Sequence, residues 1–106
     1  MRLWICKYNI IMIRFEWDVR KNQSNRKKHK ISFEEAQSVF FDEQAIEFTD
    51  PDHSDEEDRF ILLGISFKLK VLVVCRCFRE NDSVIRIISA RKADKEEEHE
   101  YWRNRK

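Results

Sequence analysis

Arginine, lysine and histidine recur in this chain where strands and helix ends would present them, and these side chains suffice to cleave RNA without a metal. That reaction needs a base beside the 2′-hydroxyl, cations to stabilise the charge gathering on the five-coordinate phosphate, and an acid for the departing oxygen. In the run VIRIISARK at residues 84–92, period-two spacing puts Arg86, Ile88, Ala90 and Lys92 on one side and Ile85, Ile87, Ser89 and Arg91 on the other. Arg76 and Arg79 stand on the preceding apolar run, and Arg59 opens the run before that, so three neighbouring strands each supply an arginine. For any single one, a solvent-side cation that opposes aggregation is the structural alternative. His29 closes a basic stretch beside Lys28, where it suits a helix C-terminus in its charged form and is also a candidate for proton transfer. His53 lies in the acidic stretch PDHSDEED, whose carboxylates favour its protonated state and so suit it as an acid, or it is an exposed loop histidine with no task. His99, among glutamates, reads as solvent-facing.

Other chemistries lack their residues. One glycine and one proline leave no phosphate-cradling loop and no dinucleotide fingerprint. Cys6, Cys75 and Cys77 are odd in number, which suits a reduced, cytoplasmic chain, and Cys75 with Cys77 lacks a second ligand pair at metal spacing. Asp50, Asp52 and Asp55 do not match the positions of a calcium loop. No cofactor or metal is expected.

The elements that must position these residues are legible in outline. Residues 13–17 (IRFEW) alternate like a half-buried strand, and Asp18 is placed to cap a helix over VRKNQSNRKKH, polar almost all round, with Arg20, Lys21, Lys27 and Lys28 as a basic face. Ser32 with Glu35 forms a capping box before Phe33, Ala36, Val39 and Phe40, which mark an amphipathic helix to about Phe41. A short strand at residues 45–49, an acidic loop, and β-rich runs at 59–67, 70–79 and 83–91 suit an antiparallel meander. Asp94 with Glu97 can cap a closing helix. The expected architecture is α+β in a single domain: strand, helix, helix, four-strand antiparallel meander, C-terminal helix.

With 106 residues, 42% hydrophobic and 39% charged, the chain has room for one core and no stretch long and apolar enough to span a bilayer. Its net charge of +1 conceals segregation. Residues 14–30 carry seven basic and two acidic side chains, residues 31–58 eleven acidic and no Lys or Arg, and residues 59–92 eight basic and two acidic. Basic blocks flanking an acidic one suit a positive face that holds a polyanion, or mutual pairing in the fold. Residues 1–13 (MRLWICKYNIIMI) read either as the first strand extended backwards or as an extension from an upstream start, a poorly ordered tail outside the domain at 14–106. The second reading fits the lack of turn or capping signals.

Taken in order, FEWD at 15–18, KH at 28–29, ISFEEA at 31–36, DPDHSDEEDRF at 50–60 and RIISARKA at 86–93 resemble the BrnT family of toxins over about four-fifths of the chain. The resemblance implies a RelE-like fold and a metal-independent endoribonuclease of a bacterial type II toxin–antitoxin pair. It also implies a BrnA-type antitoxin with a ribbon-helix-helix part, a heterotetramer with that partner, and contact with operator DNA only through the antitoxin. Carried over onto matching positions, it makes Arg59 and Arg91 transition-state stabilisers, His29 a proton-transfer group, and Lys28 and Lys92 phosphate contacts. Arg76, Arg79 and Arg86 join them as RNA-binding candidates, and His53 and Glu57 as further proton-transfer candidates. Lys30 stands where the family usually has glycine, at a cost of about 1 kcal/mol if a left-handed C-cap is kept, and Glu56 also replaces a common glycine. A non-catalytic module that binds nucleic acid or antitoxin is the alternative function.

Overall fold

Asp18 accepts hydrogen bonds from the backbone N–H of Arg20 (2.8 Å) and Lys21 (3.3 Å), satisfying two of the orphan donors at a helix start. Helix α1 therefore begins at once and runs Val19–His29. It stops at Lys30, whose φ of 63° is left-handed and whose N–H closes on the Arg26 carbonyl. Ser32 then caps α2, Phe33–Ser38, by accepting from the Glu35 N–H at 3.0 Å, and the helix tightens into a 3₁₀ turn at Val39–Phe41. The expected capping box is half made, because the Glu35 carboxylate turns inward and accepts from the Ser66 hydroxyl at 2.7 Å.

The computed structural model describes residues 3–5, 12–49, 59–79 and 84–104. Besides α1 and α2 it contains strands β1 (Leu3–Ile5), β2 (Met12–Glu16), β3 (Ile46–Thr49), β4 (Arg59–Ile65), β5 (Val71–Arg79) and β6 (Val84–Lys92), and helix α3 (Lys95–Asn104). They form one sheet in the order β1-β2-β6-β5-β4-β3. Strands β3 to β6 pair antiparallel in sequence order, which is the expected meander. β2 joins β6 in parallel, Phe15 opposite Ile85, as a strand that reaches its neighbour through intervening helices can. The architecture is a single α+β domain with a mixed sheet. Residues 3–5 differ from the expected unordered extension: they pair antiparallel with β2, Trp4 opposite Ile13, and form an edge strand.

Each face of the sheet carries its own apolar layer. On one, Phe15, Leu72, Val74, Ile85 and Ile87 pack with Phe33, Ala36 and Val39 of the helical segment. On the other, Leu63, Val71 and Val73 receive Tyr101 of α3. The Tyr101 hydroxyl donates to Asp42 Oδ2 at 2.6 Å, which also accepts the Ile65 N–H at 2.9 Å, so one carboxylate ties α3, the 3₁₀ turn and β4 together. Gly64 lets that turn rest on the sheet, since a Cβ there would stand 2.8 Å from Val39 Cγ1.

Strict alternation fails in β6. The register shifts between Cys75, opposite Ser89, and Arg76, opposite Ile87, leaving Ile88 as an extra residue. Ile85, Ile87 and Ala90 consequently share the helix-side layer, whereas period-two spacing would set Ala90 across the sheet from the two isoleucines.

Candidate active site

β2 ends opposite Arg86, while β6 continues to Lys92, so the second half of β6 needs another partner on that side. Helix α1 supplies it through a side chain. Asn25 donates from Nδ2 to the carbonyls of Ala90 (2.7 Å) and Ile31 (2.8 Å), and its Oδ1 accepts the Ala90 N–H (3.2 Å). One amide thus offers the donor and acceptor that a neighbouring strand would have presented. Asn22 works similarly one turn earlier, accepting from the Phe33 N–H at 2.9 Å and donating to Glu34 at 3.0 Å. That bond from Asn22 holds the Glu34 carboxyl below the ordinary glutamate value. These two asparagines are the buried residues of α1, which explains how so polar a helix docks.

Four residues beyond Asn25, His29 reaches a pocket of about 320 Å³ shared with Arg59, Ser89 and Arg91 and floored by Ile61 and Val73. Strand register assembles it: Ile61 lies opposite Cys75, Cys75 opposite Ser89, and Val73 opposite Arg91. The catalytic candidates His29, Arg59 and Arg91 therefore converge from α1, β4 and β6. His29 and Arg59 are half-buried, and Arg91 is exposed.

Arg91 is oriented by α3. Its Nη1 and Nη2 donate to Glu97 Oε1 and Oε2, both at 2.8 Å, the bidentate geometry that suits a guanidinium fork. Glu97 is itself fixed by the expected capping box, with the Asp94 N–H donating to its Oε1 (2.9 Å) and its own N–H donating to Asp94 Oδ1 (2.8 Å). The Arg91 hydrogen bonds, followed by lesser contributions from Asp94, hold the Glu97 carboxyl below its ordinary value, and Glu97 raises the Arg91 guanidinium.

The remaining sequence candidates scatter. Lys28 and Lys92 are exposed and lie outside the pocket lining. Arg86 is half-buried and ion-paired to Glu16 at 3.2 Å on the parallel neighbour strand. Arg76 is a correction: it is 4% exposed, ion-paired to Glu47, with its guanidinium 4.8 Å from the Phe60 ring centroid and 5.9 Å from that of Phe40. A cation enclosed in this way braces β5 against β3 and is turned away from solvent, where the sequence reading had it exposed. His53, Glu57 and the Arg79 side chain lie outside the described residues. Ser89, Cys75 and Glu97 are not among the site residues expected from the sequence. The signal for Glu97 was present, as a capping glutamate six residues beyond an arginine, but local spacing says nothing of a bond between them. Among the described residues, no three His, Cys, Asp or Glu side chains gather as a metal site.

The arrangement presents an imidazole, two guanidinium groups and a hydroxyl around one cavity. Comparison with known proteins bears on the same chemistry. Among curated proteins none matches this chain. The 1.1 Å crystal structure of the Brucella abortus ribonuclease toxin, BrnT, is similar to it with a TM-score of 0.60 and 22% identity, over 78% of this chain and 99% of that one, a likeness that supports the fold. The sequence model of the family described as "Ribonuclease toxin, BrnT, of type II toxin-antitoxin system" matches residues 17–97, from the end of β2 into α3. The match takes in every element that builds the pocket, and the chain belongs to the BrnT family of ribonuclease toxins of type II toxin–antitoxin systems.

Proposed function

We propose that this chain is an endoribonuclease that cleaves RNA by metal-independent transesterification, with its chemistry in the pocket between α1, β4 and β6. The observation that carries the reading is the convergence of His29, Arg59 and Arg91 on one cavity from three elements distant in sequence. The 2′-oxygen of the substrate loses its proton and attacks the adjacent phosphorus, and the 5′-oxygen leaves with a proton, so the products are a 2′,3′-cyclic phosphate and a 5′-hydroxyl. Arg59 and Arg91 stabilise the charge on the phosphate oxygens as it develops, the largest contribution a site of this composition offers. His29 performs one proton transfer, and His53 or Glu57 in the segment leading to Arg59 performs the other. Lys28 and Lys92 contact flanking phosphates.

A type II toxin implies an antitoxin. In this reading the partner is of the BrnA type, with a ribbon-helix-helix part that alone contacts operator DNA, in a heterotetramer. The toxin acts in the bacterial cytoplasm, and none of its described helices is long and apolar enough to cross a membrane.

Purified protein incubated with RNA in EDTA, with products read by mass spectrometry, tests the mechanism. Cyclic phosphate ends are expected. Strict dependence on magnesium with 3′-hydroxyl ends overturns it. RNA or antitoxin binding without any cleavage favours the alternative of a non-catalytic module.

A further inference from the structure

A second basic cavity opens beside α1 and the start of α2. It measures about 290 Å³ and is lined by Arg26, Lys30, Ser32, Glu35 and Lys68. At one point of its wall is the Glu35 carboxylate, 1% exposed, which accepts from the Ser66 hydroxyl at 2.7 Å and has Lys68 Nζ at 3.9 Å. A buried carboxylate needs a partner, and Lys68 with Ser66 provides it. That leaves Arg26 and Lys30, neither of which forms an ion pair among the described residues. Arg26 feels the Glu34 carboxylate, but that group already accepts a hydrogen bond from Asn22. Three cations therefore face one carboxylate. The Ser32 oxygen accepts the Glu35 N–H, which leaves its own proton free to be donated.

The backbone at this point adds a second observation. Lys30 has φ of 63° and Leu69, beside Lys68, has φ of 61°, the two positive values on side-chain-bearing residues of the described chain. A side chain in that region costs about 1 kcal/mol against glycine. At Lys30 the left-handed position delivers a cation to the cavity wall one residue after the histidine that lines the first pocket.

We propose that the Arg26–Lys30–Lys68 cavity is a phosphate subsite for the RNA backbone, holding a phosphate of the same strand that reacts at His29, Arg59 and Arg91. It rests on the ribonuclease reading above and adds to it a contact that Lys28 and Lys92 do not supply. Glu35 is the counter-charge that keeps Lys68 in place when the cavity is empty.

A 2′-O-methyl RNA oligonucleotide, which cannot undergo the transesterification, isolates binding. Its affinity is measured by fluorescence anisotropy across a salt series for the full chain and for Lys30→Gly, Arg26→Gln and Arg103→Gln. Lys30→Gly removes the cation and relieves the backbone, so its fold is safe, and Arg103, on the exposed face of α3, is the control. Each subsite variant is expected to flatten the slope of log affinity against log salt by about 0.7, equivalent to about fivefold weaker binding at 0.1 M salt relative to 1 M, while the control keeps the wild-type slope. Wild-type slopes in both subsite variants, with RNA still bound and cleaved by the unmodified chain, overturn the subsite and leave the ribonuclease reading standing. Weaker antitoxin binding with unchanged RNA binding also overturns it, and assigns the cavity to the protein partner. Failure of the wild-type chain to bind or cleave RNA overturns both.

Discussion

Glu97→Gln separates charge from geometry at the candidate active site. The glutamine oxygen still accepts the Asp94 N–H and keeps the cap of α3, but the two charge-assisted bonds from Arg91 become at most one neutral bond. Arg91 is 44% exposed at its side chain and Glu97 30%, so solvent screens the pair and its contribution belongs at the upper end of the surface range, about 1 kcal/mol, because the fork is bidentate. For a domain near 100 residues that lowers the melting temperature by about 4–5 °C at pH 7.

The pH dependence gives the sharper test. The Glu97 carboxyl is held below its ordinary value of 4.5, chiefly by the Arg91 hydrogen bonds. A depressed folded value means the unfolded chain takes up its proton first as pH falls, so the stabilisation is complete above about pH 5 and is lost below that as pH drops through the folded value. Thermal melts of wild type and Glu97→Gln should therefore differ by a constant few degrees from pH 8 to about pH 5 and converge as pH falls through the folded value. A gap that persists undiminished however far the pH is lowered, or none at pH 7, refutes the ion pair as the source. A double-mutant cycle with Arg91→Ala should return a coupling of about 1 kcal/mol, and a coupling near zero sinks the same reasoning by an independent route.

Arg59→Ala and Arg91→Ala should each lower RNA cleavage by about 100-fold or more with little change in RNA affinity, whereas Lys28→Ala and Lys92→Ala should weaken affinity and flatten its salt dependence; steady-state kinetics beside binding isotherms check both. Asn25→Ala strips partners from the Ala90 N–H and from two carbonyls, so denaturant unfolding should show a loss of about 3 kcal/mol, and cleavage by the fraction still folded should fall as well because His29 loses its anchor.

What could be read from the sequence was what short-range chemistry decides. Asp18, Ser32 and Asp94 cap helices because the side chain and the N–H it satisfies are two or three residues apart, so spacing alone reveals them. The meander was visible for a related reason, since apolar runs divided by short polar breaks have few ways to pair other than with their neighbours. Choices made by distant residues were hidden. The extra residue at Ile88 is defined only against Cys75 and Arg76 of the opposite strand, so period-two counting along β6 misplaced Ala90 relative to Ile87. Arg76 looked like one more exposed cation because its partners Glu47, Phe40 and Phe60 come from three other elements. Asn22 and Asn25 looked like solvent-facing polar residues, since no local pattern distinguishes an amide that faces water from one that completes a sheet edge.

The pocket exists because the sheet's pairing is interrupted in one place. Had β2 continued beside β6 past Arg86, the Ala90 backbone groups would have been satisfied by a strand, and α1 would have had no polar seat at that edge. Ending β2 at Glu16 frees the edge, Asn25 occupies it, and the same helix then carries His29 to the side of Arg91. The bulge acts on the same stretch: with one residue inserted at Ile88, Ser89 and Arg91 face the pocket while Ile87 and Ala90 still serve the core. A polar side chain standing in for a strand is also easier to disturb than a strand, because it depends on one amide rather than a ladder of backbone bonds. Loss of Asn25 should therefore separate the histidine from the two arginines before it melts the domain, and comparing cleavage per folded molecule with global stability in that variant tells a displaced histidine from an unfolded sheet.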